Sequence, residues 1–319
     1  MKDWLGREIE YLRLSVTQDC NLNCIYCRPS GSVDCETACH GLATDELKLI
    51  VGAMAGLGIR KVRITGGEPL IRPDICEIIA GIAGIPGIED ISLTTNGIRL
   101  AKLAGRLRRA GLQRINISLD SLKGERFEFI TGGGRLDRVL RGIKESVSAG
   151  LKPVKINAVL IRGVNDDEVD AFMELAREQP VEVRFIELMP VGRFGEENRD
   201  KIVYNTELIE AHPELISLED PRGSGPAAMY TIKGYKGRIG FISPMSHRFC
   251  KTCNRIRLTC DGKIRLCLGH NSEVDITGTL REQPEELQET VRDIIFNKPE
   301  GHNFNRKFVS DRGMNEIGG

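Results

Sequence analysis

The sequence LRLSVT at residues 12–17 alternates apolar and polar side chains with a period of two. That period predicts a β-strand with one face toward packed helices and the other toward a polar space. The same alternation recurs five more times before residue 190. We therefore predict six strands, near residues 11–17, 61–65, 90–95, 114–119, 153–160 and 181–187.

Helical segments separate the predicted strands. Ahead of the second strand, apolar residues from Leu47 to Leu57 keep helical spacing, with Thr44 as the expected N-cap and Gly58 as the left-handed residue past the end. Alternating helices and strands predict parallel βα units. A sheet covered by helices on both faces would have almost continuously apolar strands. The polar side chains at every second position of these strands therefore favour an open, water-filled lumen on one face. The predicted fold class is α/β, an incomplete TIM-type (β/α)6 barrel with a small C-terminal module.

Four cations fall at the inward, polar parity of these strands. They are Arg13, Arg63, Lys155 and Arg184. The alternative interpretation is that they are solvent-exposed charges at strand edges, but helices should cover the outer face of such strands. A cationic lumen predicts a polyanionic small molecule as the ligand.

Composition limits the classes of partner. Lys plus Arg and Asp plus Glu number 45 each, so no overall charge favours nucleic acid or an anionic membrane. No apolar run approaches the roughly 18 residues that span a bilayer, and residues 1–4 do not begin an apolar signal region. We expect a cytoplasmic protein that binds neither nucleic acid nor membrane. In a reducing compartment its ten cysteines indicate metal ligation more than disulfides.

The pattern of the chain changes after residue 190. Residues 192–200 are polar and predicted to be irregular, and residues 221–226 are rich in Gly and Pro. Short antiparallel strands are predicted near residues 229–232 and 238–242. We accordingly predict two domains, a partial barrel over residues 1–220 and a C-terminal module over residues 221–319.

The first cysteine cluster directly follows the first strand. Cys20, Cys24 and Cys27 form C-x3-C-x2-C at the rim where α/β barrels place their chemistry. Three thiolates can hold three irons of a cubane 4Fe-4S cluster and leave the fourth iron open. Zinc is the main alternative, and it would need a fourth ligand. The nearby candidates for that ligand are Cys35, Cys39 and His40.

A second cysteine cluster lies in the C-terminal module. Cys250, Cys253 and Cys267 form C-x2-C-x13-C, again without an obvious fourth thiolate. The spacing predicts a second 4Fe-4S cluster with an open iron.

The first cluster and a glycine motif together resemble the radical S-adenosylmethionine superfamily. Tyr26 supplies the aromatic residue before the last cysteine, and TGGEP at residues 65–69 resembles the segment that receives the methionine amino group. The resemblance implies that the open iron chelates S-adenosylmethionine. It also implies reductive cleavage of this cofactor to methionine and a 5′-deoxyadenosyl radical, which abstracts hydrogen from a substrate shielded from water.

A narrower resemblance, to the GTP 3′,8-cyclase family, extends from about residue 10 to the end. It is carried by CNRIRLT at residues 253–259 and by the terminal pair Gly318-Gly319, which taken alone would be an ordinary frayed end. Further matching motifs are LRLSVT at 12–17, RITGGEPL at 63–70, LTTNG at 93–97, NISLD at 116–120, GVND at 163–166 and RFIE at 184–187. The resemblance implies a lyase of molybdenum cofactor biosynthesis that converts GTP to (8S)-3′,8-cyclo-7,8-dihydroguanosine 5′-triphosphate.

The family resemblance also implies roles for individual residues. GTP would be bound by Arg13, Arg63, Thr94, Lys155, Arg255, Ile256 and Arg257. S-adenosylmethionine would be contacted by Tyr26, Gly67, Glu68, Ser118 and Met189, with Glu68 ordering the motif. Arg184, Gly318 and Gly319 would assist the chemistry. The two cysteine triplets would hold two 4Fe-4S clusters.

The remaining cysteines receive no ligand role. Cys35, Cys39, Cys76 and Cys260 are expected to be non-ligands, since a cysteine is often a small buried apolar residue. Two other functions stay open: a two-cluster radical enzyme that modifies another substrate such as a peptide, and a zinc or redox-sensing binding protein. The expected partners are an electron donor of the flavodoxin or ferredoxin type, the next enzyme of the pathway and a second copy of the chain.

Overall fold

The strands of the protein form one continuous sheet. The computed structural model describes residues 1–27, 41–219, 225–304 and 308–318, so Cys35, Cys39, His40 and Gly319 lie outside the described residues. Within these ranges the strands are β1 Tyr11–Ser15, β2 Lys61–Thr65, β3 Asp90–Thr95, β4 Arg114–Ser118, β5 Val154–Leu160, β6 Val181–Glu187, β7 Ile216–Leu218, β8 Ala227–Thr231, β9 Arg238–Ile242, β10 Arg255–Leu258, β11 Lys263–Arg265 and β12 Glu273–Asp275. Their order across the sheet is β12-β11-β10-β1-β2-β3-β4-β5-β6-β9-β8-β7.

Helices connect the strands and cover one face of the sheet. They are α1 Thr44–Gly56, α2 Ile75–Ala83, α3 Leu100–Arg109, α4 Gly124–Thr131, α5 Leu136–Ser148, α6 Val169–Glu178, α7 Gly192–Glu197, α8 Asn205–Ala211, α9 Thr277–Glu282, α10 Leu287–Phe296 and α11 Met314–Ile317. None of the helices in the described ranges is long and apolar enough to cross a membrane.

The six predicted strands are confirmed as β1 to β6, each parallel to the next. Their apolar parity points into the main core: Leu12, Val62, Leu93, Ile117 and Ile156 are all fully buried. The polar parity lines the opposite, concave face. The alternation read from the sequence therefore separates a helix-covered face from a lumen, as in an open half-barrel.

The C-terminal strands extend both edges of this half-barrel. β10 pairs with β1 and β9 pairs with β6, both in parallel, while β11, β12, β8 and β7 add antiparallel hairpins outside them. The antiparallel pairing predicted near residues 229–242 is confirmed between β8 and β9. Since β10 lies beside β1, residues some 240 positions apart along the chain share the lumen.

The start of α1 differs from the prediction. Thr44 is the first helical residue, and Ala43 occupies the N-cap position, where its N–H donates to the Glu46 carboxylate over 2.8 Å. The Thr44 hydroxyl instead donates to Asp74 over 2.7 Å, because the next βα unit brings this acceptor within reach. Gly58 follows the helix with a φ of 96°, the predicted left-handed conformation.

Residues 192–200, predicted to be irregular, contain the short helix α7 followed by a 3₁₀ turn. An Arg193–Glu197 ion pair of 2.7 Å stabilises α7. The Arg199 guanidinium donates to the Phe304 carbonyl oxygen over 2.9 Å. This distant contact explains why the local sequence did not predict the ordered turn.

Candidate active site

Register alignment places the predicted cations on one face of the sheet. In parallel pairing, aligned residues point to the same side. Arg257, Arg13 and Arg63 are aligned across β10, β1 and β2. Lys155 of β5 is aligned with Asn116 of β4 on the same concave face. Arg184 and Arg255 share this parity on β6 and β10.

A cavity of about 1280 Å³ occupies the amino-terminal half of the lumen. Its lining includes the first residue of several parallel strands: Tyr11, Lys61, Asp90, Arg114, Arg238 and Arg255. Arg13, Arg63, Lys155 and Arg184 lie above them in the same wall. The cavity is large enough for a nucleotide and is dominated by positive charge.

Three guanidinium groups of the concave face have no acidic partner in the part of the chain that the structure describes. Among the described residues no carboxylate forms an ion pair with Arg13, Arg63 or Arg257. Burial, and after it the neighbouring Arg257 and Arg63, lower the pKa of Arg13 well below its usual range. Burial likewise lowers the pKa of Arg257 to about 10. Because guanidinium groups stay protonated in proteins, this crowding creates a strong demand for a bound anion.

Lys155 and Arg184 share one acid in the lumen. Glu182 accepts from Arg184 over 2.8 Å and lies 3.6 Å from the Lys155 ammonium. Burial and, after it, the charge of Arg184 lower the pKa of Lys155 to about 7. One carboxylate therefore offsets only part of the positive charge of this pair.

Several cavity residues received no role from the sequence. Tyr11 lies between two cations, with the Arg63 and Arg255 guanidinium carbons 5.5 and 5.9 Å from its ring centre. Arg114 is bonded to Asp90 through Nε over 2.9 Å. The strand alternation could have identified Tyr11, Asp90 and Arg114, because these residues have the same inward parity as Arg13 and Arg63.

Ile256 does not join this wall. Side chains alternate along a strand, so the residue between Arg255 and Arg257 points to the opposite face. Ile256 is fully buried and aligned with Leu12 in the main core. Any contact between Ile256 and the nucleotide would therefore come from its backbone, and this contact stays a prediction. Thr94, by contrast, is half-buried on the polar face beside Asn116.

The first cysteine triplet lies at the carboxyl-terminal edge of the sheet, in the loop after β1. The Cys27 N–H donates to the Cys24 carbonyl over 3.0 Å, and the three thiols are electrostatic neighbours. Burial, and after it Cys27, Asp120 and Cys20, raise the pKa of Cys24. Half-buried thiols held together in this way favour a bound cation that keeps them as thiolates.

The donor set of the triplets fits a cubane cluster. Among the described residues no three His, Cys, Asp or Glu side chains converge closely enough to hold a single metal ion. A cubane places each thiolate on a different iron, so it does not require such convergence. Of the cysteines without a predicted role, Cys260 is buried and Cys76 packs half-buried against the core.

The glycine motif after β2 is tied to the loop that carries the first triplet. Gly67 and Glu68 donate their N–H groups to the carbonyls of Thr17 and Asp19, each over 2.7 Å. A Cβ at Gly67 would overlap the Asp19 backbone, so only glycine permits this approach. The two motifs therefore form one structural unit.

Glu68 orders this unit from within. Its fully buried carboxylate accepts hydrogen bonds from Leu70 N, Thr95 Oγ1 and Asn96 N at 2.7–3.0 Å. Burial raises its pKa to about 7. Since protein donors surround the carboxylate, its geometry fits the predicted ordering role.

The predicted cofactor contacts lie at the same carboxyl-terminal edge of the sheet as the first triplet. The Tyr26 hydroxyl donates to Asp120 over 2.6 Å, and Asp120 also accepts from the Val159 N–H over 2.8 Å. Burial raises the pKa of Asp120 to about 6. Ser118 ends β4 on the polar face, and Met189 packs against a small apolar cluster containing Phe304. Asp120 is a supporting residue to which the sequence assigned no role.

The second cysteine triplet lies at the opposite, amino-terminal edge. Cys250 and Cys253 precede β10, and Cys267 follows β11. Buried cations brace this loop. They donate as follows: Arg7 to Cys250 O over 3.1 Å, Arg265 to Cys267 O over 3.3 Å and Lys298 to Arg255 O over 2.7 Å. Burial opposes ionisation of Cys253, but Lys298 and Arg255 lower its pKa overall.

The C-terminal segment reaches the lumen near the first triplet. The Met314 N–H donates to the Cys27 carbonyl over 3.2 Å. Gly318 lies against Ser15 and Thr65, the last residues of β1 and β2, and its carbonyl accepts from Arg257. The structure thus brings one of the two predicted tail glycines to the polar face.

The two triplets bracket the cationic wall from opposite ends. The five residues of β1 between the two edges span about 16 Å. Arg13 and Arg63 lie between those edges. A ligand that extends along the lumen from one edge to the other would therefore pass these cations.

Comparison with known proteins agrees with this geometry. The radical SAM superfamily profile matches residues 14–176, and the Molybdenum Cofactor Synthesis C profile matches residues 181–304. A GTP 3′,8-cyclase of Alkaliphilus oremlandii is 46% identical over 321 residues, covering 100% of both chains. Those of Listeria monocytogenes and Moorella thermoacetica are each 44% identical, covering 100% of this chain and 99% and 100% of theirs.

A solved structure shows the same fold at much lower identity. Streptococcus suis SuiB bound to S-adenosylmethionine superposes with a TM-score of 0.63 and 15% identity, covering 95% of this chain and 76% of SuiB. Because the full-length relatives are far above the identity that fixes a family, the chain belongs to the GTP 3′,8-cyclase family of radical S-adenosylmethionine proteins.

Proposed function

We propose that the protein is a GTP 3′,8-cyclase, a lyase that converts GTP to (8S)-3′,8-cyclo-7,8-dihydroguanosine 5′-triphosphate in molybdenum cofactor biosynthesis. The observation that carries the proposal is the row Arg257-Arg13-Arg63, aligned across three strands without an acidic partner among the described residues. A triphosphate carries about four negative charges and matches this row in sign. The full-length relatives bear the same name.

The chain's own residues bind and orient the substrate. Arg13, Arg63, Arg255 and Arg257 would hold the triphosphate, with Lys155 and Arg184 completing the wall. Glu182 keeps Lys155 and Arg184 in place before substrate binds. Fixing the phosphates at the amino-terminal half directs the ribose toward the first triplet, so orientation is set by binding.

Cys20, Cys24 and Cys27 would hold one 4Fe-4S cluster, and Cys250, Cys253 and Cys267 the other. When bound, the first cluster and S-adenosylmethionine supply the electron and the carbon radical that remove hydrogen from the ribose 3′ carbon. Gly67 permits the close approach of the glycine motif to the Asp19 backbone, and Gly67, Tyr26, Ser118 and Met189 would contact the cofactor. The C-terminal segment, which contacts Arg257 through the Gly318 carbonyl, would help to shield the radical from water.

Other features of the proposal concern organisation and partners. Residues 1–220 and 221–319 would be the units that carry one triplet each, although they share the sheet. An electron donor of the flavodoxin or ferredoxin type, transfer of product to the next pathway enzyme, a homodimer and a cytoplasmic location stay predictions.

Anaerobic reconstitution followed by substrate comparison tests the function. With both clusters loaded we expect about eight irons per chain. Reduced protein with S-adenosylmethionine should then release 5′-deoxyadenosine with GTP and with no other nucleoside triphosphate. Equal release with ATP, or none with GTP, would refute the assignment, and zinc uptake without iron would refute the clusters.

A further inference from the structure

Uncharged polar side chains occupy the central strands of the concave face, level with Lys155 and Arg184. We call Thr94, Asn116, Ser118 and Asn157 the neutral belt. Thr94 and Asn116 are aligned across β3 and β4, and Ser118 and Asn157 across β4 and β5. The belt therefore forms a continuous strip that faces the lumen.

Two members of the neutral belt carry buried amide atoms that no described residue satisfies. Asn116 is 1% exposed, and neither its Oδ1 nor its Nδ2 has a hydrogen-bond partner within the described part of the chain. The Oδ1 of Asn157 is buried and equally unpartnered there. Burying an unsatisfied amide destabilises a folded protein, so such groups are rare and require an explanation. A ligand that bonds to them in the lumen supplies one.

The surroundings define which part of a ligand reaches the belt. Asn116 is aligned with Lys155, and Asn157 is aligned with Arg184. Lys155 and Arg184 belong to the cations that we propose bind the triphosphate. Neighbouring strands lie about 4.8 Å apart, so one nucleotide can touch an amide and the adjacent cation together. Phosphate oxygens prefer the cations. A neutral amide, which both donates and accepts, instead matches a hydroxyl group.

We propose that Asn116 and Asn157 are positioning residues that hydrogen-bond the ribose hydroxyls of the substrate. This inference rests on the proposed function and deepens it. The ribose lies between the phosphates and the first triplet, where hydrogen abstraction must begin. The two amides would fix the sugar so that its 3′ carbon faces the cofactor.

Nucleotide binding to the cluster-loaded protein tests the proposal. GTP, 2′-deoxy-GTP and 3′-deoxy-GTP are compared by equilibrium binding to wild type, Asn116→Ala and Asn157→Ala. We expect each variant to bind GTP about tenfold more weakly, the effect of losing one or two neutral hydrogen bonds. At least one deoxy analogue should be nearly unaffected, so that its ratio to GTP moves toward one. Equal weakening of all three nucleotides, or no weakening, would overturn the inference.

A matched asparagine separates positioning from folding. Asn165 is also fully buried, but its side chain bonds to Asp120 O, Val159 O and Ile161 N at 2.7–2.9 Å. Asn165→Ala should lower the melting temperature and leave the GTP to deoxy-GTP ratios unchanged. Asn116→Ala should leave the ligand-free melting temperature unchanged or raise it, because it removes unsatisfied atoms.

The inference and the proposed function can fail separately. A lower melting temperature for Asn116→Ala with unaltered ratios would show that Asn116 is structural. Wild-type protein that releases no 5′-deoxyadenosine with GTP would instead refute the cyclase assignment. Active wild type with unchanged ratios in both variants refutes only the ribose contacts.

Discussion

The two ends of the lumen hold similar cysteine triplets in opposite electrostatic surroundings. At the carboxyl-terminal end, burial and the carboxyl of Asp120 raise the pKa of Cys24. At the amino-terminal end, Lys298 and Arg255 overcome burial and lower the pKa of Cys253, whereas burial outweighs Lys298 and raises the pKa of Cys267. The same ligand type is thus embedded once beside an acid and once among cations. Negative charge near a cluster disfavours its reduction, so the two sites should differ in potential as well as in place.

Removing one thiol from each end should have the largest effect. Cys24→Ala and Cys253→Ala should each retain about four irons per chain, because the other triplet stays intact. Cys24→Ala should abolish 5′-deoxyadenosine release completely, since S-adenosylmethionine loses its iron. Iron content and release assays check both statements. Loss of all iron in either variant would mean that the two sites do not load independently.

Removing a cation between the two ends should have the second largest effect, on GTP binding. Arg13→Ala should weaken GTP binding about 10- to 100-fold, the effect of losing a buried, charge-assisted hydrogen bond. Its iron content should equal that of wild type. The exposed Arg106 on α3 provides the matched control, and Arg106→Ala should bind GTP normally. A drop in iron for Arg13→Ala would assign Arg13 to folding.

Raising the pH should weaken GTP binding at the amino-terminal end, by less than the loss of Arg13 does. Lys155 is buried beside Arg184, and its pKa is lowered to about 7. The side chain is therefore charged below pH 7 and increasingly neutral above it, so GTP affinity should fall up to about tenfold between pH 6.5 and 8.5. Lys155→Arg should flatten this profile, because a guanidinium stays protonated. An unchanged slope in that variant would exclude Lys155 as the titrating group.

The smallest expected effects are shifts in cluster potential. Lys298→Met removes a buried cation near the second triplet and should make only that cluster harder to reduce. Asp120→Asn should make only the first cluster easier to reduce. Spectroscopic titration of each variant distinguishes the two signals. Equal shifts at both clusters would show that the contrast between the ends is not local.

Much of the lumen could be predicted from the sequence because strand periodicity is local. Alternation near Arg13, Arg63 and Lys155 assigned these side chains to the polar face, and the register confirms that placement. The same rule assigns Ile256 to the core, yet the family motif had included it among nucleotide contacts. Where a family motif and the strand alternation disagree, the alternation predicts the direction of the side chain, because strand geometry fixes that direction.

The sequence alone determined the order of βα units, the polar parity of six strands and the two cysteine triplets, because each depends on neighbours along the chain. Only the tertiary structure decided that β9 and β10 join opposite edges of the half-barrel and that the triplets lie at opposite ends of its strands. It also decided which polar atoms, such as those of Asn116, stay unsatisfied. Such properties depend on contacts between residues far apart in the sequence, so no local sequence pattern predicts them.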